Sequence, residues 1–368
     1  MVIFVYGTTG ESIKIATLVE ALPDNKKLLI DTNQQPKLLA KFYNTTSFPK
    51  ADQTLSKGWR GNDLTRPWQM VFWLIVVLFN FFIKGTFSKI KRSKKSEKTI
   101  VVVHGDTVTT VIGSLFAKLT GVPVAHIEAG LRSGNWKHPF PEEIDRRIVS
   151  KLANINFSPG ELATKNLEKE NVKGEIINTK ANTVADSAKW AKIQQTTNMP
   201  KLPKSAYCLI SVHRNEFLVS PKKLKAFLQV IADFSKTMPV VFLDHPITSD
   251  RITSLGYDEI LDTAPNLIRA PKQGYVNMMH LLDKTELIVT DSGGLQEESY
   301  YIGIPCIVHR VATERDEGIG ENVVLTNMDA DVLKAELKTY KTKLKLKTQR
   351  NFNPTKIITE YLKKYKYI

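Results

Sequence analysis

Three acids stand just after apolar runs: Asp106 in HGDT (104–107), Glu128 in HIEAGLR (126–132) and Glu142 in PFPEEIDRR (139–147). Carboxylates gathered near one cleft repel each other, which raises the pKa of at least one and equips the set for general acid–base work. Read alone, Asp106 fits a helix cap equally well, because Asp or Thr ahead of a helix satisfies its first N–H groups. Glu143, Asp145 and Arg147 fit surface salt bridges within EEIDRR.

Two further clusters have the chemistry of anion binding. GTTGESIK (7–14) is a strand-to-helix turn. Its glycines let backbone N–H groups approach an anion, the helix start adds partial positive charge, and Lys14 falls in the first helical turns. Such turns also occur with no ligand. TDSGGLQEE (290–298) runs a strand into a Gly-Gly turn at a helix start, a cradle suited to a diphosphate through Ser292, Gly293 and Gly294. Glu298, one turn in, is wrong for phosphate and right for two ribose hydroxyls. His213, Arg310 and Arg315 add cations from other loops of that half. A plain capped helix start explains Asp291 or Ser292 but not the whole cluster.

The elements that must position these groups follow from hydropathy. Strands are expected at 2–6, 28–31, 99–103 and 122–127, with shorter ones at 154–158 and 175–178, separated by helical patterns. The pattern restarts with strands at 206–212, 239–243, 266–268, 287–290 and 305–308. Continuous Val/Ile runs between helices predict parallel strands covered on both faces. Two doubly wound α/β halves facing across a cleft are expected, joined by the polar stretch 192–203, with ligands beyond the carboxyl ends of the strands. The length of 368 residues suits two domains. Expected boundaries are 1–185 and 186–353, with a last helix at 354–368 crossing back to the first domain.

Hydrophobic residues are 42% of the chain, which excludes bulk disorder. Two cysteines, Cys208 and Cys306, exclude a disulfide scaffold or a cysteine-based zinc cluster and read as reduced core residues of a cytoplasmic protein. The net charge of +15 is local: residues 84–98 and 334–368 carry it, and the remainder is neutral. A nucleic-acid partner is therefore not expected. No signal peptide is read in the opening MVIFVYG.

One segment fits a water-soluble α/β domain poorly. Trp68 to Ile83 contains no charged residue and is followed by the basic run to Lys98. A helix of that length is about 24 Å long, short of the ~30 Å hydrocarbon core, and spanning would divide one sheet across a bilayer. A helix apolar all round still needs a second apolar cover. An anionic membrane surface, contacted peripherally through Trp68 to Lys98, is the favoured expectation, and burial against a second subunit is the alternative.

Taken together, HGDT, HIEAGLR with PFPEEIDRR, VHRNE (212–216) and TDSGGLQEE with TERDE (313–317) resemble the UDP-N-acetylglucosamine 2-epimerase family. The resemblance runs from Val2 to about residue 325. It implies two Rossmann-like domains of the glycosyltransferase-B type and a reaction that needs neither a metal nor an external cofactor. It implies proton removal at the sugar C2, elimination of UDP to a 2-acetamidoglucal, and re-addition on the other face, with the non-hydrolysing course favoured. The product, UDP-N-acetylmannosamine, would feed cell-surface polysaccharide synthesis. Asp106, Glu128, Glu142 and His213 would be the acid–base set. Lys14, Arg146 and Arg315 would neutralise the diphosphate, Ser292, Gly293 and Gly294 would hold its phosphates, and Glu298 the ribose. Gln273 and Met278 fall where the family binds uracil, and His245 heads a further substrate-binding motif. A homodimer through the first domain is also implied.

The chain departs from the family pattern at Thr9-Gly10, Asn215, Ile247 and Asp316, losing cations at Thr9 and Ile247. Other readings are therefore a membrane-associated transferase using a UDP-sugar on the same fold, a hydrolysing epimerase releasing N-acetylmannosamine and UDP, and an inactive nucleotide-sugar-binding partner. Retention of all four acid–base residues favours the epimerase.

Overall fold

Runs of Val, Ile and Leu buried on both faces pair as parallel strands crossed over by helices. A computed structural model, which describes residues 1–134, 140–313, 315–344 and 351–368, has that arrangement. The order begins β1 (Val2–Tyr6), α1 (Thr9–Ala21), β2 (Lys27–Asp31), α2 (Pro36–Thr45), β3 (Gln53–Thr54), α3 (Pro67–Ile83), α4 (Thr86–Ser96), β4 (Ile100–His104) and α5 (Val108–Thr120). Next come β5 (Val124–Ile127), α6 (Glu142–Leu152), β6 (Ile155–Ser158), α7 (Glu161–Lys169), β7 (Glu175–Asn178) and α8 (Val184–Lys192). It continues β8 (Tyr207–Ser211), α9 (Asn215–Leu218), α10 (Pro221–Phe234), β9 (Val240–Asp244), α11 (Pro246–Ser254), α12 (Asp258–Asp262), β10 (Leu267–Pro271) and α13 (Tyr275–Leu281). The last elements are β11 (Thr285–Thr290), α14 (Gly293–Ile302), β12 (Cys306–Val308), β13 (Val323–Leu325), α15 (Ala330–Lys343) and α16 (Pro354–Lys364). Glu314 of TERDE and residues 345–350 of the basic tail lie outside the described residues.

The chain divides into two compact units, Met1–Gln195 with Phe352–Ile368, and Thr196–Asn351. Among the described residues the first holds a seven-stranded sheet of order β3-β2-β1-β4-β5-β6-β7, parallel throughout. The second holds a six-stranded parallel sheet of order β10-β9-β8-β11-β12-β13. Strand order reverses beside β1 in one sheet and beside β8 in the other, the position at which open α/β sheets generally bind ligands beyond the strand ends.

Helix α8, which a boundary at residue 185 would assign to the second domain, belongs to the first unit. Ser187 Oγ donates to Ile13 O at 2.7 Å, and Trp190 Nε1 donates to Glu20 Oε1 at 2.6 Å. Helix α16 packs in the same place: Thr355 N donates to Asp186 at 2.9 Å, and Ile358 and Leu362 are buried.

Helix α3 forms as its Pro at the first position and its uncharged, largely apolar run predict. Trp73, Val77 and Phe81, spaced by four, pack into the first unit's core with Ile3, Val5 and Phe116. The basic run after it is the separate helix α4, bent 52° from α3. Among the described residues, no single helix is long and apolar enough to cross a membrane.

Candidate active site

The site residues of the first unit stand at the carboxyl ends of β1, β4 and β5. Register pairs His104 of β4 with Ile127 of β5, so the residues just beyond, Asp106 and Glu128, emerge side by side. Glu128 carries a left-handed backbone, with φ of 67°, a conformation a non-glycine residue holds only where its surroundings enforce it. Its buried carboxylate is enclosed by donors. Lys14 Nζ donates to Oε2 at 2.6 Å and Asn182 Nδ2 to Oε1 at 2.8 Å, while His104 Nδ1 lies 3.4 Å from Oε2.

Asp106 does not cap α5. Thr107 does, its side chain accepting the Thr110 N–H, so the carboxylate of Asp106 is left for other work. Arg146 Nη2 is hydrogen-bonded to Asp106, and Arg146 Nη1 lies 3.2 Å from Glu143. The turn that carries Asp106 is braced by His126, whose Nε2 donates to Gly105 O at 2.7 Å. Burial lowers the His126 pKa to about 4, so this ring is neutral.

Helix α6 brings Glu142, Glu143, Asp145 and Arg146 to the same strand ends. Glu142 Oε2 is buried without a hydrogen-bond partner among the described residues. Glu143 is in ion pairs as the sequence predicts, but it is completely buried rather than at the surface, held by Arg146 and by Arg147 at 2.9 Å. Asp145 is a correction. It makes no salt bridge among the described residues, Oδ2 is buried and unpartnered, and burial followed by repulsion from Asp106 and Glu142 raises its pKa to about 7. The repulsion anticipated from the carboxylate cluster therefore falls on a residue that sequence reasoning had placed in a surface pair. Its i+3 spacing from Glu142 was the available signal.

The turn at 7–14 is hydrogen-bonded within the protein. Two of its N–H groups are taken by a protein anion, Gly7 N and Thr8 N donating to Glu11 Oε2 at 3.0 and 2.9 Å, and Thr9 N donates to Gln35 Oε1 at 3.1 Å. Thr107 Oγ1 donates to the other oxygen at 2.7 Å, tying β1's turn to β4's. Burial raises the Glu11 pKa, and these donors oppose the shift. Gly7 is required there because a Cβ would come 2.0 Å from Thr32 Oγ1. Lys14 and Arg146, expected on a diphosphate, contact Glu128 and Asp106 in this structure.

In the second unit, Asp291 at the end of β11 is completely buried and accepts the N–H groups of His213 and Arg214, each at 2.8 Å. It fixes the VHRNE loop rather than capping α14. The cap is Ser292, whose Oγ accepts the Leu295 N–H, while first-turn N–H groups at Gly293 and Gly294 have no intrahelical acceptor. The His213 ring stacks on His245 with centroids 4.5 Å apart. Burial lowers the pKa of both, His245 to about 4, and His245 Nε2 is 3.0 Å from Ser211 Oγ. Both rings are therefore neutral near pH 7.

Arg315 lies 3.2 Å from Glu297. Gln296, missed from the sequence, clamps this loop: its Nε2 donates to the carbonyls of Arg315 and Glu317, and its Oε1 accepts from Thr313. Glu298 is nearly buried on α14 beside Tyr275, whose hydroxyl is buried and whose pKa is raised by burial and then by Glu298. Gln273 bonds Pro271 O and Asn277, and Met278 is half-buried on α13. Arg310 pairs with Glu216 at 3.0 Å.

A profile of the UDP-N-acetylglucosamine 2-epimerase family matches residues 85–356. The chain belongs to that family. The Escherichia coli K12 UDP-N-acetylglucosamine 2-epimerase is 31% identical over 338 residues, covering 88% of this chain and 85% of that one. Its Yersinia pestis counterpart is 30% identical over 337 residues, with the same coverage. The UDP-GlcNAc 2-epimerase of Neisseria meningitidis, solved with UDP-GlcNAc bound, superposes with a TM-score of 0.76 at 29% identity over 99% of both chains. The Methanocaldococcus jannaschii enzyme gives 0.78 at 25% identity, again over 99% of both. The fold class is thus α/β of the glycosyltransferase-B type, as the motifs implied.

Proposed function

We propose that the chain is a UDP-N-acetylglucosamine 2-epimerase that interconverts UDP-N-acetylglucosamine and UDP-N-acetylmannosamine. The observation that carries this reading is the cluster of Asp106, Glu128, Glu142 and Asp145, in which carboxylates of different surroundings share one set of strand ends. Glu128 and Asp106 each face a cation, Lys14 and Arg146. Glu142 has a buried oxygen with no partner among the described residues, and burial raises the Asp145 pKa to about 7. Differing environments are what separate an acid from a base in one site.

In this reading a carboxylate removes the C2 proton while the C1–O bond breaks, UDP leaving with the bonding pair. The double bond of the 2-acetamidoglucal forms between C1 and C2. Return of a proton to the opposite face of C2, with UDP oxygen re-adding at C1, gives the manno epimer with atoms and charge conserved. Ser292, Gly293 and Gly294 hold the phosphates, Glu298 the ribose, Gln273 and Met278 the uracil, and Arg315 the leaving charge. His213, oriented by Asp291, is the acid–base residue on the second unit. The open N–H groups of α14 support the phosphate assignment.

Proton NMR of the purified chain with UDP-N-acetylglucosamine in deuterated water tests this. Deuterium at C2 of a manno-configured, still UDP-linked product is expected, and Asp106→Asn abolishes it. Free N-acetylmannosamine and UDP would indicate the hydrolysing course. Tight UDP binding without exchange would overturn the epimerase reading in favour of a transferase or a binding protein.

A further inference from the structure

Helix α3 has two apolar faces, and the protein covers one. Trp73, Val77 and Phe81 face inward, with Phe81 stacked on Phe116 of α5 at 3.7 Å. The two polar side chains of the helix turn inward as well. Gln69 Oε1 accepts the N–H groups of Thr65 and Arg66, and Asn80 Nδ2 donates to Leu55 O at 2.7 Å. That leaves an outer stripe of Trp68, Phe72, Ile75, Phe79, Phe82 and Ile83, exposed up to 68% at Ile83. Six such side chains at about half exposure present roughly 600 Å², the upper end of the largest patch on an ordinary monomer.

The surroundings of this stripe identify what covers it. Helix α4 follows after one turn, bent 52° away, with Lys89, Lys91, Arg92, Lys94 and Lys95 exposed. The one acid of that run, Glu97, is occupied by the Met1 ammonium and by Lys26. At the other end of α3, Arg60 and Arg66 are exposed beside Trp59, which meets Trp68 edge-on at 4.7 Å. The stripe is therefore rimmed by cations at both ends and by tryptophan at one. A twofold contact running lengthwise along α3, parallel or antiparallel, would set cations against cations. An anionic lipid surface answers both features at once, with headgroups for the bases and the acyl boundary for the stripe. At 17 residues the helix is about 26 Å long, enough to lie along a bilayer and short of crossing it.

We infer that α3 and α4 form an in-plane anchor that seats the first unit on an anionic membrane. The inference concerns where the protein sits and stands whether or not the epimerase reading holds. Co-sedimentation of the full chain with phosphatidylcholine vesicles, with and without phosphatidylglycerol, tests it. Binding is expected on the anionic vesicles, with reversal by high salt. Ile75→Asp with Phe79→Asp should lower partitioning at least tenfold. Lys91→Glu with Arg92→Glu should lower it by about fivefold per base or more, on anionic vesicles only. Turnover measured without vesicles should be unchanged in both variants, so loss of membrane binding and failure of the reaction are read separately. Absence of binding to anionic vesicles, or binding indifferent to both variants, overturns the proposal. A concentration-dependent dimer that the Ile75/Phe79 variant dissociates, with no vesicle binding, would assign the stripe to a second copy instead.

Discussion

Lys14 Nζ lies 2.6 Å from Glu128 Oε2, joining the second turn of α1 to the end of β5. The carboxylate is almost fully enclosed, so Lys14→Met strands a buried charge and should cost about 3 kcal/mol of stability. Glu128→Gln removes the charge and should abolish turnover while costing less. The double variant should be more stable than the sum of the single changes predicts, by about 1–2 kcal/mol. Urea unfolding of all four proteins measures this coupling, and strict additivity would show that the pair is not coupled.

Asp145 gives a pH dependence with a definite sign. Its pKa is raised to about 7 in the folded chain from 3.8, by burial first and then by Asp106 and Glu142. The folded state binds this proton more tightly, so its stabilising contribution is complete below about pH 4 and is lost as pH rises through 7. Asp145→Asn should accordingly melt higher than the parent, by an increment that grows from pH 5 to pH 8 to about 1–3 kcal/mol. An increment independent of pH would contradict the raised pKa.

Asp291 is the anchor of His213. Both N–H groups meet the same oxygen, Oδ2, so Asp291→Asn keeps an acceptor for them and withdraws the charge that favours the protonated ring. The His213 pKa should fall further, as read by ¹⁵N NMR, and kcat should drop about 10²-fold with KM changed far less. A purely structural role would lower melting temperature without moving the ring's titration.

Gln296 holds three groups of the 313–317 loop. Gln296→Ala leaves the Arg315 and Glu317 carbonyls without this donor and should weaken UDP binding about tenfold through Arg315, checked by calorimetry with UDP. Gln296→Glu, which cannot donate to those carbonyls, should behave like the alanine variant.

Much of the fold was readable because strands buried on both faces need continuous apolar runs, and β1, β4, β8 and β11 have them. Strand β3, two residues long, is set by pairing with β2 rather than by its own sequence, and had no such signal. Among site residues, Asp106, Glu128 and Glu142 could be placed because each follows a strand or opens a helix. Ownership of the hydrogen bonds could not be read. Nothing in GTTGE says that Glu11 will fold back onto Gly7 and Thr8, and nothing in EEIDRR says that Asp145 faces the other acids while Glu143 takes both arginines. Those outcomes depend on which side of α6 meets β5, a tertiary fact.

The chain leaves the first unit after Gln195 and re-enters it at Phe352. Thr17 Oγ1 meets Thr355 Oγ1 at 2.8 Å, a contact spanning nearly the whole polypeptide. During synthesis the second unit therefore has every one of its strands before the first has its final helix. The half begun earliest is finished last, and until then the buried side of α1 and α8 waits open on the ribosome. A stop codon just ahead of α16 should damage the first unit and spare the second.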